Sequence, residues 1–555
     1  MMLKTIAEYF LEAEKKFPEM VFLFQPEGKK GNSITYKEAG VIIRKLVGGL
    51  YSIGLSPGDH VGILSKNCYH WILADLAIMF GGMISIPFYP NLTNSQLEEV
   101  IAQSDIKAIF LGKLDEWKGL SPEFSALKKI IFPHYLGNVK IEEGIPWEVF
   151  IQSNFSCELT HIPKLDDIWT ILFTSGTTGV PKGVMLSYNS PAAIMANEKQ
   201  YGNLKIFSGD EHRFFSFLPL NHIAERMIVE VACIFTGGTI YFAESLDSFA
   251  YNLKKASPTL FMAVPRIWSK FQSAIFTKIP PDLLNLLLKV PLLNKGLQFL
   301  IKKALGLHRA RILLTGAAPM PDALKDWYET IGIKIQEVYA MTENCGGCTL
   351  MRADDIQKGT VGKPLPEVNL KIDSESGEVI MKAPWLMMGY YKDKLKTSQT
   401  IVHGWLHTGD KGEITREGHL KLTGRISDTF KSSKGKYIEP APIEWLFSEN
   451  KIIEQIAVTG LGLPQPIALV CLTDWARKMD ENQIVQSLIN TLSQVNDSLA
   501  KFQQIGCIII VKSVWSIENN MLTPTLKIKR SQLESIYSDF YEYWVNLNQP
   551  VIWEK

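Results

Sequence analysis

Ten consecutive positions of this 555-residue chain hold its densest set of groups able to handle an anion: Thr174, Ser175, Gly176, Thr177, Thr178, Gly179, Val180, Pro181, Lys182 and Gly183. They follow directly on the apolar run 169–173. This is the composition of a strand followed by a loop that cradles phosphate. Glycines let backbone N–H groups turn toward an anion, hydroxyls add donors and the lysine adds a mobile positive charge. The spacing is not G-x-x-x-x-G-K-[ST], which excludes a P-loop of the Walker type. Downstream stand Glu337, Tyr339, Ala340, Thr342 and Glu343 after a second predicted strand, then Asp410, Arg425 and Lys527.

The segment T-S-G-T-T-G-x-P-K-G resembles the signature of the AMP-forming acyl-CoA synthetases, within the adenylate-forming superfamily, at every defined position. The resemblance runs over nearly the whole chain, from Thr35-Tyr36 and Gly54-Leu55-Ser56-Pro57-Gly58-Asp59 onward. It implies that a carboxylate is joined to the α-phosphate of ATP, a step that needs preorganised cations and donors rather than a covalent nucleophile. By the same resemblance Tyr339 lies against adenine, Thr342 bonds the α-phosphate, and Glu343 and Thr174 hold Mg²⁺, a hard ion that takes few carboxylates when phosphates are present. Gly316, Ala317 and Ala318 line the adenine pocket with Glu337. Asp410 and Arg425 take the ribose hydroxyls. Lys527, in T-P-T-L-K-x-K-R, reaches over the cleft to the acyl carboxylate and the α-phosphate, whereas Lys529 and Arg530 are read as solvated charges. The catalytic set is therefore Lys527, His222, Thr342 and Glu343.

The version of the lysine motif with leucine before the lysine, and L-P-L-x-H-x-x-E-R over 218–226, resemble the long-chain fatty acyl subgroup. His222 is expected at the carboxylate end of an acyl tunnel, with Phe261, Val264, Ala340 and Gly346 in its wall. Cys345-Gly346-Gly347-Cys348 is read as pocket wall, since no second Cys/His pair completes a metal site. Three positions depart from the family pattern: Tyr188, Ala340 and Ser427. Ala340 would be strained if its site required a positive φ.

These residues must be carried by more than one domain, because 555 residues exceed one hydrophobic core. Helical stretches alternate with short apolar strands over 34–112 and 169–339, which predicts α/β layers with parallel sheets. A strand-and-turn-rich stretch follows over 361–424. The expected architecture is an N-terminal domain, 1–424, of two α/β subdomains plus a small β-barrel-like subdomain, and a smaller mobile α+β C-terminal domain, 425–555. The hinge is expected near Ser427, and Lys434, Gly435 and Lys436 are expected to enter the cleft toward CoA.

Lys+Arg 58 against Asp+Glu 57 leaves a net charge of +1, so no global field recruits nucleic acid. Seven cysteines without framework spacing suit a reducing cytoplasm. The apolar tract 76–89 is too short to span a bilayer and reads as a buried helix and strand. In 281–307 leucines alternate with Lys289, Lys295, Lys302 and Lys303, and no acid follows Asp282. That segment reads either as an interfacial helix pair touching the inner membrane face or as a buried helical hairpin. The function expected is ATP-dependent activation of a long-chain fatty acid and its transfer to CoA. Transfer to an acyl carrier protein and a non-catalytic lipid- or nucleotide-binding protein are the alternatives.

Overall fold

The computed structural model describes residues 3–152, 156–175, 181–209, 211–517, 519–523 and 527–554. Gly176, Thr177, Thr178, Gly179 and the residues 524–526 of the lysine motif lie outside the described residues.

Two large sheets carry the N-terminal part. One has eight strands in the order Gly389–Tyr390, Pro181–Ser187, Ile168–Ser175, Ile84–Phe88, His60–Leu64, Ile106–Leu111, Lys128–Ile131 and Ile145–Pro146. The other has nine, and its parallel centre runs Gln336–Tyr339, Ile312–Thr315, Leu260–Ala263, Arg213–Ser216 and Thr239–Phe242. The helix Tyr69–Phe80 is buried from His70 to Phe80, which is how a helix that is apolar all round must sit. With the turn at Gly81 and Gly82 and the buried strand Ile84–Phe88, it accounts for the tract 76–89.

The N-terminal helix Ile6–Lys16 is opened by a capping box between Thr5 and Glu8 and buries Ile6, Ala7, Phe10 and Ala13 on one face. The β-rich stretch forms a five-stranded antiparallel sheet of Asn369–Ile372, Glu378–Lys382, Trp405–Ile414, Ile401–Val402 and Leu420–Arg425. Its described pairings do not close into a barrel.

Beyond Arg425 a four-stranded sheet, Ile453–Thr459, Ile467–Leu472, Ile508–Ile510 and Val551–Trp553, packs on the helix Glu481–Ser498. The two buried apolar clusters of this C-terminal part draw only on residues from 430 onward, and the three of the N-terminal part only on residues before 424. The parts are joined through the short 3₁₀ turn Ile426–Asp428. Across the gap Lys411 donates to Glu439 at 2.7 Å, and Arg266 pairs with Glu454.

Candidate active site

The functional side chains come from the C-terminal ends of parallel strands, where an open α/β sheet leaves its crevice. Strand Ile312–Thr315 ends at Gly316, Gln336–Tyr339 runs into Thr342 and Glu343, Arg213–Ser216 leads to His222, and Leu260–Ala263 ends at Val264. All face one cleft of about 3320 Å³ between the N- and C-terminal parts. Thr174, Lys182, His222, Val264, Ala317, Ala318, Glu337, Tyr339, Ala340, Thr342, Glu343, Gly346, Asp410, Arg425, Ser427 and Lys527 line it. Residues scattered over 350 positions of sequence are thus brought to one place.

Strand Ile168–Ser175 pairs with an antiparallel strand, Pro181–Ser187, with Thr174 opposite Lys182 in the register.

A Cβ on Gly316 would stand 2.7 Å from Val338 and 3.0 Å from its carbonyl oxygen, so only glycine fits. Ala317 holds a left-handed φ of +64°, a costly conformation for alanine that bares the backbone to the cleft. Ala340 has no positive φ and escapes the strain that its departure from glycine threatened. Glu337 is buried, and burial raises its pKa against the pull of Lys325. Lys325 donates to Glu337 at 2.8 Å, and its ammonium also lies 2.7 Å from Asp322.

Asp410 ties Tyr339 and Arg425 together. One of its oxygens accepts from the Tyr339 hydroxyl at 2.7 Å and the other from Arg425 Nε at 3.0 Å. Strand register accounts for the pair, since Asp410 and Arg425 are directly opposed between Trp405–Ile414 and Leu420–Arg425.

The Tyr390 hydroxyl donates to Glu343 Oε1 at 2.8 Å, and Lys182 Nζ lies 6.0 Å from the Tyr390 ring centre. Glu343 is one hard oxygen donor beside cationic side chains. Among the described residues no group of three His, Cys, Asp or Glu converges anywhere. That donor set fits a Mg²⁺ ion brought in on phosphates, which needs few protein ligands.

Lys527 reaches the same space from the C-terminal part. Thr523 N–H donates to its carbonyl at 2.8 Å, and its own N–H donates to Thr523 Oγ1 at 3.0 Å. Its side chain is exposed to the cleft, yet the walls crowd the ammonium. That crowding and the Arg425 charge push its pKa down, while Asp410 and Glu343 pull the other way. Lys527 in turn acts on His222, whose pKa burial and the lysine lower to about 4. His222 Nδ1 accepts from Ala224 N–H at 3.2 Å, which leaves the proton of the neutral ring on Nε2.

Three expectations are corrected by the packing. Phe261 lies in the core against Phe217, Trp268 and Phe271, not in the cleft. Alternation along Leu260–Ala263 explains this: Phe261 and Ala263 share one face with that aromatic core, and Met262 faces the cleft with Val264. Cys345 and Cys348 are buried, and only Gly346 and Gly347 between them reach the cleft. Lys434, Gly435 and Lys436, expected in the cleft only once the C-terminal part has turned, are exposed here at the turn of the hairpin Phe430–Lys431 with Tyr437–Ile438. Arg530 is not a solvated charge. It bonds Asp428 of the turn Ile426–Asp428 at 3.1 Å and both oxygens of Glu444 at 2.7 Å.

Sequence reasoning missed Lys325, Tyr390 and the apolar wall. Lys325 stands three positions after Asp322 on the helix that follows the Gly316 turn, a spacing that marks an ion pair. Tyr390 follows Gly389 on a strand paired with Pro181–Ser187. Met195, Ile206, Ile223, Met227, Val361 and Leu365 build the apolar sector of the cleft, with the π-helical turn Arg226–Val231 bulging into it. Tyr188 is buried and stands outside the cleft lining.

Comparison with known proteins agrees with this geometry. Residues 10–391 match the family model of the AMP-binding enzyme, and residues 427–542 match that of the AMP-binding enzyme C-terminal domain. The chain is 28% identical to long chain acyl-CoA synthetase 5 of Arabidopsis thaliana, over 96% of this chain and 90% of that one. It is 28% identical to long-chain-fatty-acid–CoA ligase 6 of Mus musculus, over 91% and 81%. Among solved structures, o-succinylbenzoate CoA synthetase from Bacillus subtilis with its acyl-adenylate intermediate superposes with a TM-score of 0.74 at 19% identity, covering 96% of this chain and 99% of that one.

Proposed function

We propose, from the premise that the chain belongs to the AMP-binding enzymes and is an AMP-forming acyl-CoA ligase, that its acid is a long-chain fatty acid. The acid and ATP give acyl-AMP and pyrophosphate, and CoA thiol then displaces AMP. The observation that carries this reading is the convergence of Lys527 with His222, Glu343, Asp410 and Arg425 in one cleft that also has an apolar sector. Each CH₂ buried there stabilises the bound acid by about 0.8 kcal/mol, so a long chain is favoured steeply.

In the first step a carboxylate oxygen attacks the α-phosphorus, and the electron pair of the breaking P–O bond leaves on pyrophosphate. Negative charge gathers at the α-phosphate. Lys527 bridges it to the acyl carboxylate, Thr342 donates to it, and the neutral His222 ring donates through Nε2–H. Glu343 and Thr174 would hold Mg²⁺, which would supply further neutralisation of the phosphates. Asp410 and Arg425 fix the ribose, and Tyr339 with Ala317 and Ala318 sandwiches adenine.

For the second step the C-terminal domain, 425–555, turns about Ser427. This withdraws Lys527 and carries Lys434, Gly435 and Lys436 inward toward CoA. Fatty-acid-dependent ATP–pyrophosphate exchange tests the first step across chain lengths, and acyl-CoA formation tests the second. Exchange without thioester assigns the acyl group to a carrier protein instead, and no exchange with any acid rejects the reading.

The acid reaches the cleft from a membrane. The helices Pro281–Leu288 and Pro291–Leu305 bury Leu284 and Ile301 but leave Leu286 62%, Leu293 54%, Phe299 53% and Leu300 61% exposed. An apolar outward face ringed by Lys289, Lys295 and Lys303 suits an anionic bilayer. Pro281 and Asn285 of this pair also line the cleft. Co-sedimentation with phosphatidylglycerol vesicles should fall at least fivefold when Leu286, Leu293 and Leu300 become serine, and unchanged binding rejects the contact. No helix among the described residues is long and apolar enough to cross a membrane. Seven free thiols suit a reducing cytoplasm.

A further inference from the structure

Lys182 has a companion that the family motifs did not single out. Lys396 lies on the helix Lys394–Thr400 and lines the same stretch of the cleft. The fold holds the two together through four links. Gly389–Tyr390 pairs with the strand of Lys182, placing Tyr390 opposite Val184. Tyr390 N–H donates to Thr397 Oγ1 at 2.8 Å, and that hydroxyl donates to the Asp393 carbonyl at 2.7 Å. Lys396 N–H then donates to Asp393 Oδ1 at 2.8 Å, which caps the helix.

Neither ammonium has an ion-pair partner among the described residues. Burial and the Lys396 charge lower the Lys182 pKa, more than Glu343 and Asp393 raise it. Two like charges on the lining of one cleft, offset only in part by Glu343 and Asp393, leave a local excess of positive potential that an anion relieves.

We propose that Lys396 and Lys182 together form a polyphosphate clamp, in which Lys396 contacts the terminal phosphates of the bound nucleoside triphosphate and then the pyrophosphate that leaves. The proposal rests on the adenylating reading above and adds to it a second cation at the leaving group. When the bond from the α-phosphorus to the bridging oxygen breaks, the electron pair goes to pyrophosphate, and that charge falls between the two ammoniums. Tyr390 ties Glu343 to the same wall, so clamp and carboxylate move as one piece.

The test replaces Lys396 with methionine, which keeps the stem and removes the charge, and with arginine, which restores it. Binding of inorganic pyrophosphate with Mg²⁺ to the full chain is measured by calorimetry, and the KM for pyrophosphate is measured in ATP synthesis from acyl-AMP. Lys396→Met should weaken pyrophosphate binding and raise that KM by about tenfold, with Lys396→Arg near the unsubstituted protein. Attack of CoA on preformed acyl-AMP should change far less. Unaltered pyrophosphate affinity in Lys396→Met overturns the clamp, as does equal loss in both half-reactions, which marks a structural role. Failure of the adenylating reading is separate, because the unsubstituted protein would then show no exchange with any acid while calorimetry still reports on the clamp.

Discussion

Two groups of charges in this molecule have opposite fates. Arg226 is wholly buried and paired: it bonds Glu230 at 2.9 Å, Thr170 at 2.9 Å and Asp75, and lies 4.2 Å from the Trp169 ring. Asp75 takes a further bond from Ser85. Lys182, Lys396 and Lys527 instead line a cleft without ion-pair partners among the described residues. Charge that holds the fold is neutralised on the spot, because an unpaired charge in a dry interior is too costly to keep. Charge that is to meet a triphosphate stays in excess, because a cation already neutralised has nothing left to give the transition state.

The comparison breaks most visibly at Arg226. Arg226→Met should strand Asp75 and Glu230 and lower stability by about 3–5 kcal/mol in urea unfolding. A shift below 1 kcal/mol would show that the buried network is not structural. Lys527→Ala should leave the urea midpoint alone and slow acyl-AMP formation roughly 100- to 1000-fold, while CoA attack on preformed acyl-AMP changes much less. Equal loss of both steps contradicts its place in the first one. A smaller effect belongs to groups that hold cleft carboxylates: Tyr390→Phe and Lys325→Met should each raise the KM for ATP by about five- to tenfold, from the loss of roughly 1–1.4 kcal/mol of positioning. An unchanged KM in both would mean that Glu343 and Glu337 need no support.

The subtlest test uses Glu225, which is buried and accepts from Phe217 N–H at 2.9 Å. Burial pushes its pKa up to about 8. Its folded pKa exceeds the unfolded value near 4.5. Its contribution is therefore fully present below pH 4.5 and is lost as pH rises toward 8. Glu225→Gln removes this titration, so the Tm difference between Gln variant and parent should move in the variant's favour from pH 5 to pH 8. A difference independent of pH would place the Glu225 charge elsewhere.

Much of the α/β layering was legible because apolar runs such as 169–173 and 76–89 can only be buried, and buried strands and helices leave short polar turns between them. The nucleotide end of the site was legible for a different reason: chemistry there depends on residue type in a compact motif, as at Thr342-Glu343. The apolar end was not. Phe261 and Met262 are equally good wall residues by type, and strand alternation alone put one in the core and the other on the cleft. Arg530 likewise reads as a solvated charge until Asp428 and Glu444 are found beside it.

By itself the sequence determined the kind of chemistry: a hydroxyl- and glycine-rich anion loop, a Thr-Glu pair, and a lysine near the C-terminus, each set by local spacing that survives any arrangement of domains. Tertiary structure alone decided which of these meet. Lys182 and Lys396 lie more than 200 positions apart and are joined through the pairing of Gly389–Tyr390 with Pro181–Ser187. Lys527 acts on His222 across the cleft between the two parts. Strand register and domain docking fix distances between residues remote in sequence, and no local pattern encodes them.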